Sequence, residues 1–292
     1  MRPSRPAHPA RATGRRRRLP LALAALTALA AAPVASTTVW AADDASPAAG
    51  PASGPVNGPV NGPAGGPVEG NAELPSDVLD LSDWKVTLPV GDDEDPTEIY
   101  QPELDGYSHD PYFEVAPSGE AVRFRAPVNG VTTGGSSYPR SELREMEPGG
   151  EDETEWSSTS GTHTMTVREA FTHLPEERPW VVGAQIHGGD DDVTVVRLED
   201  DELWVTEGDT RHHHLLTDEY ELGTVFEITY VVSDGEIEVH YNGELATTLD
   251  HSDPTNYFKA GAYTQANCGN SSPCDDDNYG EVEIHELTVE HR

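Results

Sequence analysis

The chain has 292 residues and is strongly acidic, with 53 Asp and Glu residues against 18 Lys and Arg and a net charge of −35. Seven arginines precede residue 41, so the rest of the chain holds 11 basic residues and carries a net charge of −42. Such a surface argues against nucleic acids and anionic membranes as partners. The acidic surface favours solubility at high salt, where the electrostatic screening length falls to a few ångströms.

The first 41 residues are typical of a secretory signal peptide. Four arginines at 15–18 precede an apolar run at 19–34, and Ala41 offers a small residue for cleavage. The apolar run is too short and too rich in alanine for a membrane anchor. We therefore expect a secreted, extracellular protein.

Residues 42–73 are predicted to form a disordered linker. Gly-Pro-Val-Asn occurs at 54–57 and again at 58–61, and related tetrads follow. Such repeats bury too little apolar surface to offset the loss of chain entropy. Residues 74–292 remain, a length that suits one all-β domain. We expect the protein to be a monomer.

Short segments of alternating apolar and polar residues run through this domain, separated by turn residues. No long amphipathic helix is evident. The pattern predicts an all-β fold, a two-sheet antiparallel sandwich of the jelly-roll type with a concave substrate groove. The predicted strands are 79–88, 122–125, 138–146, 162–170, 180–187, 193–199, 202–207, 225–233, 236–241, 246–249, 257–265 and 281–290.

Two cysteines, Cys268 and Cys274, lie in a loop rich in Gly, Asn and Ser. In an exported protein such a pair predicts a disulfide rather than a zinc site. Because the closed loop is short, the bridge should contribute on the order of 2 kcal/mol. It would brace the loop that follows the strand at 257–265.

Acidic runs at 190–192 and 275–277 leave two interpretations open. Carboxylates are the ligands that calcium prefers. The alternative is a solvated acidic surface with no bound ion.

The segment Tyr-Phe-Lys-Ala-Gly-Ala-Tyr-Thr-Gln at 257–265 has two different faces. The two-residue period of a strand places Phe, two Ala and Thr on one face, which suits packing against a second sheet. The other face carries phenols, an ammonium and an amide around a glycine, which favours a groove. An amphipathic strand with aromatic cross-strand pairs is the alternative. These groove residues are Tyr257, Lys259, Gly261, Tyr263 and Gln265.

Two further segments carry chemistry on alternate residues. Arg140, Glu142 and Arg144 share one face, where Glu142 could hold both guanidinium groups and leave donors free for a carboxylate. A surface ladder of ion pairs is the alternative. Gln185 and His187 share a face on a segment that ends in two glycines, which favours an open site over a structural histidine.

These segments, in this order, resemble the three signature motifs of the polysaccharide lyase family 7 alginate lyases. They read Arg-Ser-Glu-Leu-Arg at 140–144, Gln-Ile-His at 185–187 and Tyr-Phe-Lys-Ala-Gly-Ala-Tyr-Thr-Gln at 257–265. The segment Leu-Ser-Asp-Trp-Lys-Val-Thr-Leu-Pro at 81–89 is similar to the first strand of that family. Thr264 departs from the Asn usual in the family, but it lies on the core face, so catalysis should be unaffected.

The resemblance implies β-elimination on alginate, an anionic polysaccharide of mannuronate and guluronate, without metal or cofactor. Arg140 and Gln185 would neutralise the C6 carboxylate, where charge develops. Tyr263 would protonate the leaving O4. His187 would take the C5 proton of guluronate, and Tyr263 could take that of mannuronate, which lies on the side of O4.

The resemblance also implies that the remaining groove residues line the substrate subsites: Glu142, Arg144, Tyr257, Lys259 and Gln265. In the family, Ile in the Gln-Ile-His motif is associated with guluronate-containing chains. We therefore expect activity on guluronate.

Three alternatives stay open from the sequence. One is a lyase that acts on another polyuronate, such as glucuronan. A second is a non-catalytic carbohydrate-binding sandwich, which the acid–base pair His187 and Tyr263 argues against. A third is a retaining glycosidase, which needs two nearby carboxylates, as at Glu281 and Glu283.

Overall fold

The structure, a computed structural model, describes residues 72–189 and 191–292. The predicted signal peptide and all but the last two residues of the predicted linker lie outside this range, as does Asp190. No helix in the described ranges is long and apolar enough to cross a membrane.

Two antiparallel β-sheets form the described part of the chain, as the alternating pattern predicts. One sheet has the order β10-β9-β8-β7-β14-β5-β1-β2 and the other the order β13-β12-β11-β6-β15-β4-β3. Two short 3-10 turns, Pro75–Asp77 and Leu104–Gly106, are the only helical segments within the described residues. The strands are β1 (Trp84–Asp92), β2 (Asp95–Ile99), β3 (Phe113–Val115), β4 (Val122–Pro127), β5 (Arg140–Glu145), β6 (Thr162–His173), β7 (Trp180–His187), β8 (Asp192–Glu199), β9 (Glu202–Glu207), β10 (Thr210–Thr217), β11 (Phe226–Ser233), β12 (Glu236–Tyr241), β13 (Glu244–Asp250), β14 (Tyr257–Thr264) and β15 (Tyr279–His291).

The predicted strands differ from these mainly at the sheet edges. Prediction missed β2, β3 and β10, each of which is an edge strand. An edge strand pairs on one side only and tolerates charge and irregular patterning, so its periodicity is weak. The first strand also begins at Trp84 and passes through Pro89, where prediction had ended it.

Strand β14 lies near the middle of the larger sheet, between β7 and β5. Its predicted core face is confirmed, because Phe258, Ala260, Ala262 and Thr264 are fully buried. The Thr264 hydroxyl donates to the carbonyl of Ala126 on the opposite sheet at 2.7 Å, so this polar side chain is satisfied in the core.

Gly261 allows β5 and β14 to approach closely. Its φ is +141°, and a Cβ there would lie 2.6 Å from the carbonyl oxygen of Ser141 and 2.8 Å from the Cα of Glu142. Any other residue would therefore push apart the two strands that carry Arg140, Lys259 and Tyr263.

The predicted disulfide is present between Cys268 and Cys274, with a Cα–Cα distance of 4.9 Å. It closes the loop that leaves β14, as expected from the sequence.

Candidate active site

Strand register brings the polar residues of four strands into two rows on the outer face of the larger sheet. In one row Lys85 of β1, Arg144 of β5, Lys259 of β14 and Gln185 of β7 are successive neighbours. In the other row Arg140 of β5 neighbours Tyr263 of β14. The groove above these rows has a volume of about 410 Å³.

The carboxylate of Glu142 binds three of the groove residues. Its carboxylate accepts from Lys259 Nζ at 2.5 Å, from Arg140 Nη1 at 3.1 Å and from the Gln185 amide. Burial opposes its ionisation, but the charges of Lys259 and Arg140 hold the Glu142 pKa below its usual range. The side chain is 0% exposed, so Glu142 lies under the groove and orients its neighbours instead of lining a subsite.

Lys259 is a buried ammonium between like charges. Burial and the positive charge of Arg140 lower its pKa to about 8, although Glu142 opposes the shift. Lys259 is therefore mainly charged at neutral pH and loses that charge in mildly alkaline solution.

His187 ends β7, with its ring stacked on Tyr257 at a centroid distance of 5.1 Å. Its Nδ1 lies 2.5 Å from the carbonyl oxygen of Gly188 and 3.0 Å from the Tyr257 hydroxyl. A carbonyl only accepts hydrogen bonds, so Nδ1 carries the proton and the neutral ring presents a lone pair at Nε2. Burial, with the charges of Lys259 and Arg140, lowers the His187 pKa and favours this neutral form.

Tyr263 lies beside Arg140, whose guanidinium carbon is 4.0 Å from the centroid of the phenol ring. The Tyr263 hydroxyl is 2.8 Å from the Ser136 hydroxyl, on the loop that precedes β5. This contact restrains the phenol oxygen. Sequence reasoning missed Ser136, since a serine in a Gly/Ser loop carries no signal of its own.

Arg144 departs from the arrangement expected from its spacing. Its guanidinium donates to the carbonyls of Glu145 and Thr154, at 2.7 and 3.3 Å, and pairs with Glu153 at 3.4 Å. It also lies over the Tyr257 ring at 4.0 Å. The expectation that Glu142 holds both arginines is therefore wrong for Arg144, because its side chain turns away toward the loop after β5.

Tyr257 is a largely buried phenol that keeps its proton at neutral pH. Its pKa is raised, mainly by burial, against the lowering effect of Arg144. Tyr257 thus supports the His187 ring and forms part of the groove wall.

Gln265 lies just beyond the end of β14, and its backbone N–H donates to the Trp180 carbonyl at 2.9 Å. Its buried Nε2 has no hydrogen-bond partner among the described residues. Gln265 is not among the residues that line the groove around Glu142.

The groove continues over β1 and β2 to residues that prediction did not include. Lys85 pairs with Glu98 at 3.0 Å and with Glu153 at 2.8 Å. Burial disfavours its charge, but hydrogen bonds to Glu153, Tyr100 and Glu98 raise the Lys85 pKa overall. Sequence alone could not find this cluster because Glu98 lies on an edge strand that was missed.

The carboxylate pair of the glycosidase interpretation lies on the other sheet. Glu281 accepts from Arg125 at 2.7 Å and from Thr172 at 2.9 Å, and Glu283 lies 3.8 Å from Arg123. These ion pairs and this hydrogen bond join β4, β6 and β15, which belong to the sheet opposite the groove. Among the described residues, no group of three or more His, Cys, Asp or Glu is placed to hold a metal ion.

Comparison with known proteins gives consistent results. A family model described as alginate lyase matches residues 79–291. A solved alginate lyase from Corynebacterium sp. is 59% identical, with a TM-score of 0.75, over 76% of this chain and 100% of that chain. The solved alginate lyase AlgAT5 from polysaccharide lyase family 7 is 52% identical, with a TM-score of 0.71, over 75% of this chain and 99% of that one.

A curated relative, an alginate lyase from Klebsiella pneumoniae, is 38% identical over 76 residues. That match spans 25% of this chain and 24% of the length of the relative.

Proposed function

We propose that this chain, which belongs to the polysaccharide lyase family 7 alginate lyases, cleaves alginate by β-elimination. The observation that carries the proposal is the joint placement of a neutral imidazole, His187, and a phenol, Tyr263, around a carboxylate that holds Arg140 and Gln185 in place. This set supplies a base, an acid and donors for a substrate carboxylate.

The reaction follows from these positions. Arg140 and the free amide hydrogen of Gln185 stabilise the negative charge that builds on the C6 carboxylate. A base removes the C5 proton, and the C5–H electron pair becomes the C4=C5 double bond as the C4–O4 bond breaks. The leaving O4 takes a proton from the Tyr263 hydroxyl.

The identity of the base depends on the sugar. In guluronate the C5 proton lies opposite O4, so His187 Nε2 takes it. In mannuronate the proton and O4 are on the same side, so Tyr263 serves both steps. It takes the C5 proton as a phenolate, and the phenol formed in this way passes that proton to O4. The lone pair on Nε2 supports the first route, and we propose guluronate-containing blocks as the preferred substrate of a secreted, monomeric enzyme.

The test is to incubate the purified protein with polyguluronate, polymannuronate and glucuronan and follow the ultraviolet absorbance of the unsaturated product. We expect a fast rise with polyguluronate and a slower one with polymannuronate. A rise in absorbance with glucuronan alone would mean that the protein is a lyase for another polyuronate. Binding of alginate without any rise would support the non-catalytic alternative.

A further inference from the structure

The larger sheet carries a second cationic cluster outside the groove. The guanidinium carbons of Arg178, Arg211 and Arg197 lie 4.3, 5.2 and 5.6 Å from the ring centroid of Trp180. Three of the 11 basic residues after position 41 therefore surround one indole, in a chain that carries a net charge of −42 there. We call Arg178, Trp180, Arg197 and Arg211 the arginine–tryptophan cluster.

The cluster lies on the same face as Tyr263. Val182 of β7 pairs with Tyr263 on one side and with Arg197 of β8 on the other. Neighbouring strands are about 4.8 Å apart, so Arg197 is two strands, or about 10 Å, from Tyr263. A polysaccharide that crosses the strands at Tyr263 can therefore continue over the cluster.

A hydrogen-bonded loop links the two regions. Arg178 donates to the Tyr138 hydroxyl at 2.6 Å, and the Tyr138 backbone N–H donates to the Ser136 hydroxyl at 3.1 Å. Ser136 in turn contacts the Tyr263 hydroxyl. The cluster thus adjoins the site that would protonate O4. The bond to Ser136 comes from the Tyr138 backbone, so it does not depend on the contact between Arg178 and the Tyr138 side chain.

The cluster has donors without partners. Arg197 is paired with Glu199, which also contacts His212 at 3.0 Å. Neither Arg178 nor Arg211 forms an ion pair with a carboxylate of the described residues. Within the same described part of the chain, the buried Nε of Arg178 has no hydrogen-bond partner.

In strand register the cluster has fewer carboxylates than guanidinium groups. Trp180 of β7 pairs with Glu199 of β8, and Glu199 pairs with Glu202 of β9. The cluster therefore has two carboxylates in register with its three guanidinium groups. Arg211 is exposed and Arg178 is half-buried, so both reach solvent. Stacking on Trp180 limits their rotamers, which lowers the entropy cost of binding a carboxylate.

We propose that the arginine–tryptophan cluster is a remote subsite that binds a carboxylate of the polyuronate chain outside the cleavage site, with Arg178 and Arg211 as the ligands. This inference rests on the proposed function, since it takes its ligand from the same polymer. A subsite of this kind holds long chains more tightly than short ones and leaves the chemical step unchanged.

The experiment compares wild type with the double variant Arg178→Gln/Arg211→Gln on polymeric alginate and on oligosaccharides too short to reach the cluster. We expect KM for the polymer to rise roughly three- to tenfold, with kcat unchanged and the kinetics on short oligosaccharides unchanged. The matched control is Arg168→Gln/Arg292→Gln, which makes the same charge change on the smaller sheet and at the C-terminus.

A second measurement separates this inference from the proposed function. Polymer affinity is measured by calorimetry in a Tyr263→Phe background, with and without the double substitution. If polymer binding is weaker with the double substitution than without it, the subsite is supported. This conclusion holds even if wild type produces no unsaturated sugar, a result that would overturn the proposed function alone. The subsite would be overturned by equal polymer affinity with and without the double substitution. It would also be overturned if the double substitution changed the kinetics on long and short substrates equally.

Discussion

Glu142 takes no proton in the proposed reaction, yet it determines where the reacting groups lie. It binds Arg140, Lys259 and Gln185 simultaneously, from a position closed to solvent. A buried carboxylate with three donors keeps its charge, and that charge fixes the rotamers of the groups around it. The orientation of the donors in the groove therefore depends on a residue that substrate does not reach.

Loss of the base and loss of the acid should lower kcat to different extents on the two substrates. We predict that Tyr263→Phe lowers kcat by roughly 10²–10⁴ on both polyguluronate and polymannuronate, as is typical for a general acid. His187→Ala should show a similar loss on polyguluronate and a smaller one on polymannuronate, because only the first needs a separate base.

The measurement is kcat on each block-pure polymer, with thermal melting to establish that the variants fold. Tyr107→Phe, outside the groove, is the control. Near-normal turnover by Tyr263→Phe would remove this tyrosine from the chemistry.

The pH profile should report on His187 and Lys259. As pH falls through the lowered His187 pKa, the imidazole is protonated and the base is lost. As pH rises through about 8, Lys259 loses its charge and Glu142 loses a partner. We therefore predict a bell-shaped dependence of kcat/KM on pH, with an alkaline limb near 8.

Lys259→Arg tests the alkaline limb, since a guanidinium stays charged throughout this range. We expect its plateau to extend to higher pH than that of wild type, whatever its absolute rate. If the two alkaline limbs coincide, another group is responsible.

At the scale of the elements, β6 carries a buried carboxyl that the proposed chemistry does not use. Glu169 points into the space between the sheets, where a Cβ on Gly183 of β7 would overlap its carboxyl group. Neither carboxyl oxygen has a hydrogen-bond partner among the described residues. Burial raises the Glu169 pKa to about 8, so the group is protonated at neutral pH.

This shift predicts a pH-dependent stability. Below about pH 4.5 Glu169 is protonated in both the folded and unfolded states, and its contribution is fully present. Between about 4.5 and 8 it ionises only in the unfolded chain, so the free energy of unfolding falls by about 1.4 kcal/mol per pH unit. Above the folded-state pKa the loss is complete.

Glu169→Gln removes the ionisation at nearly constant volume. We predict that the melting temperature of Glu169→Gln, relative to wild type, increases steadily from pH 5 to pH 8. The exposed Glu236→Gln is the control and should melt in parallel with wild type. A constant difference between Glu169→Gln and wild type would show that Glu169 keeps an ordinary pKa.

The disulfide acts on the loop after β14. Because Cys268 and Cys274 are only six positions apart, their bridge restrains few residues of the unfolded chain. We predict that reduction lowers the melting temperature slightly and leaves measurable activity. Complete unfolding in reductant at room temperature would mean that the bridge is essential to the fold.

For the whole molecule, charge produces two opposed effects on a polyanionic substrate. The net charge of −42 after residue 41 repels alginate at long range, whereas Arg140, Lys259 and their neighbours attract it inside the groove. Screening extends over about 10 Å at 0.1 M salt and about 3 Å at 1 M, so salt removes the long-range repulsion first.

We therefore predict that kcat/KM rises from near-zero salt to several tenths molar and then flattens or declines. The measurement is a series of initial rates on alginate at fixed pH, with melting temperatures recorded in parallel, since salt also relieves repulsion within the fold. A steady fall from the lowest salt would mean that the positive field of the groove governs encounter.

Periodicity alone predicted the fold class and the sheet face of most motif residues. An alternation of two residues specifies a strand face, so Lys259 and Tyr263 were assigned to the groove and Phe258 to the core without a structure. The three ordered motifs then indicated the family. None of this required knowledge of which strands are neighbours.

Only the tertiary structure decided which charges meet. Arg140 and Arg144 have the same spacing from Glu142, yet Glu142 binds Arg140 and the loop after β5 binds Arg144. Likewise Arg178, Trp180, Arg197 and Arg211 meet because the strand order places β7, β8, β9 and β10 side by side. Spacing along the chain defines a face, but contacts across a sheet depend on strand order and register, which arise from long-range pairing.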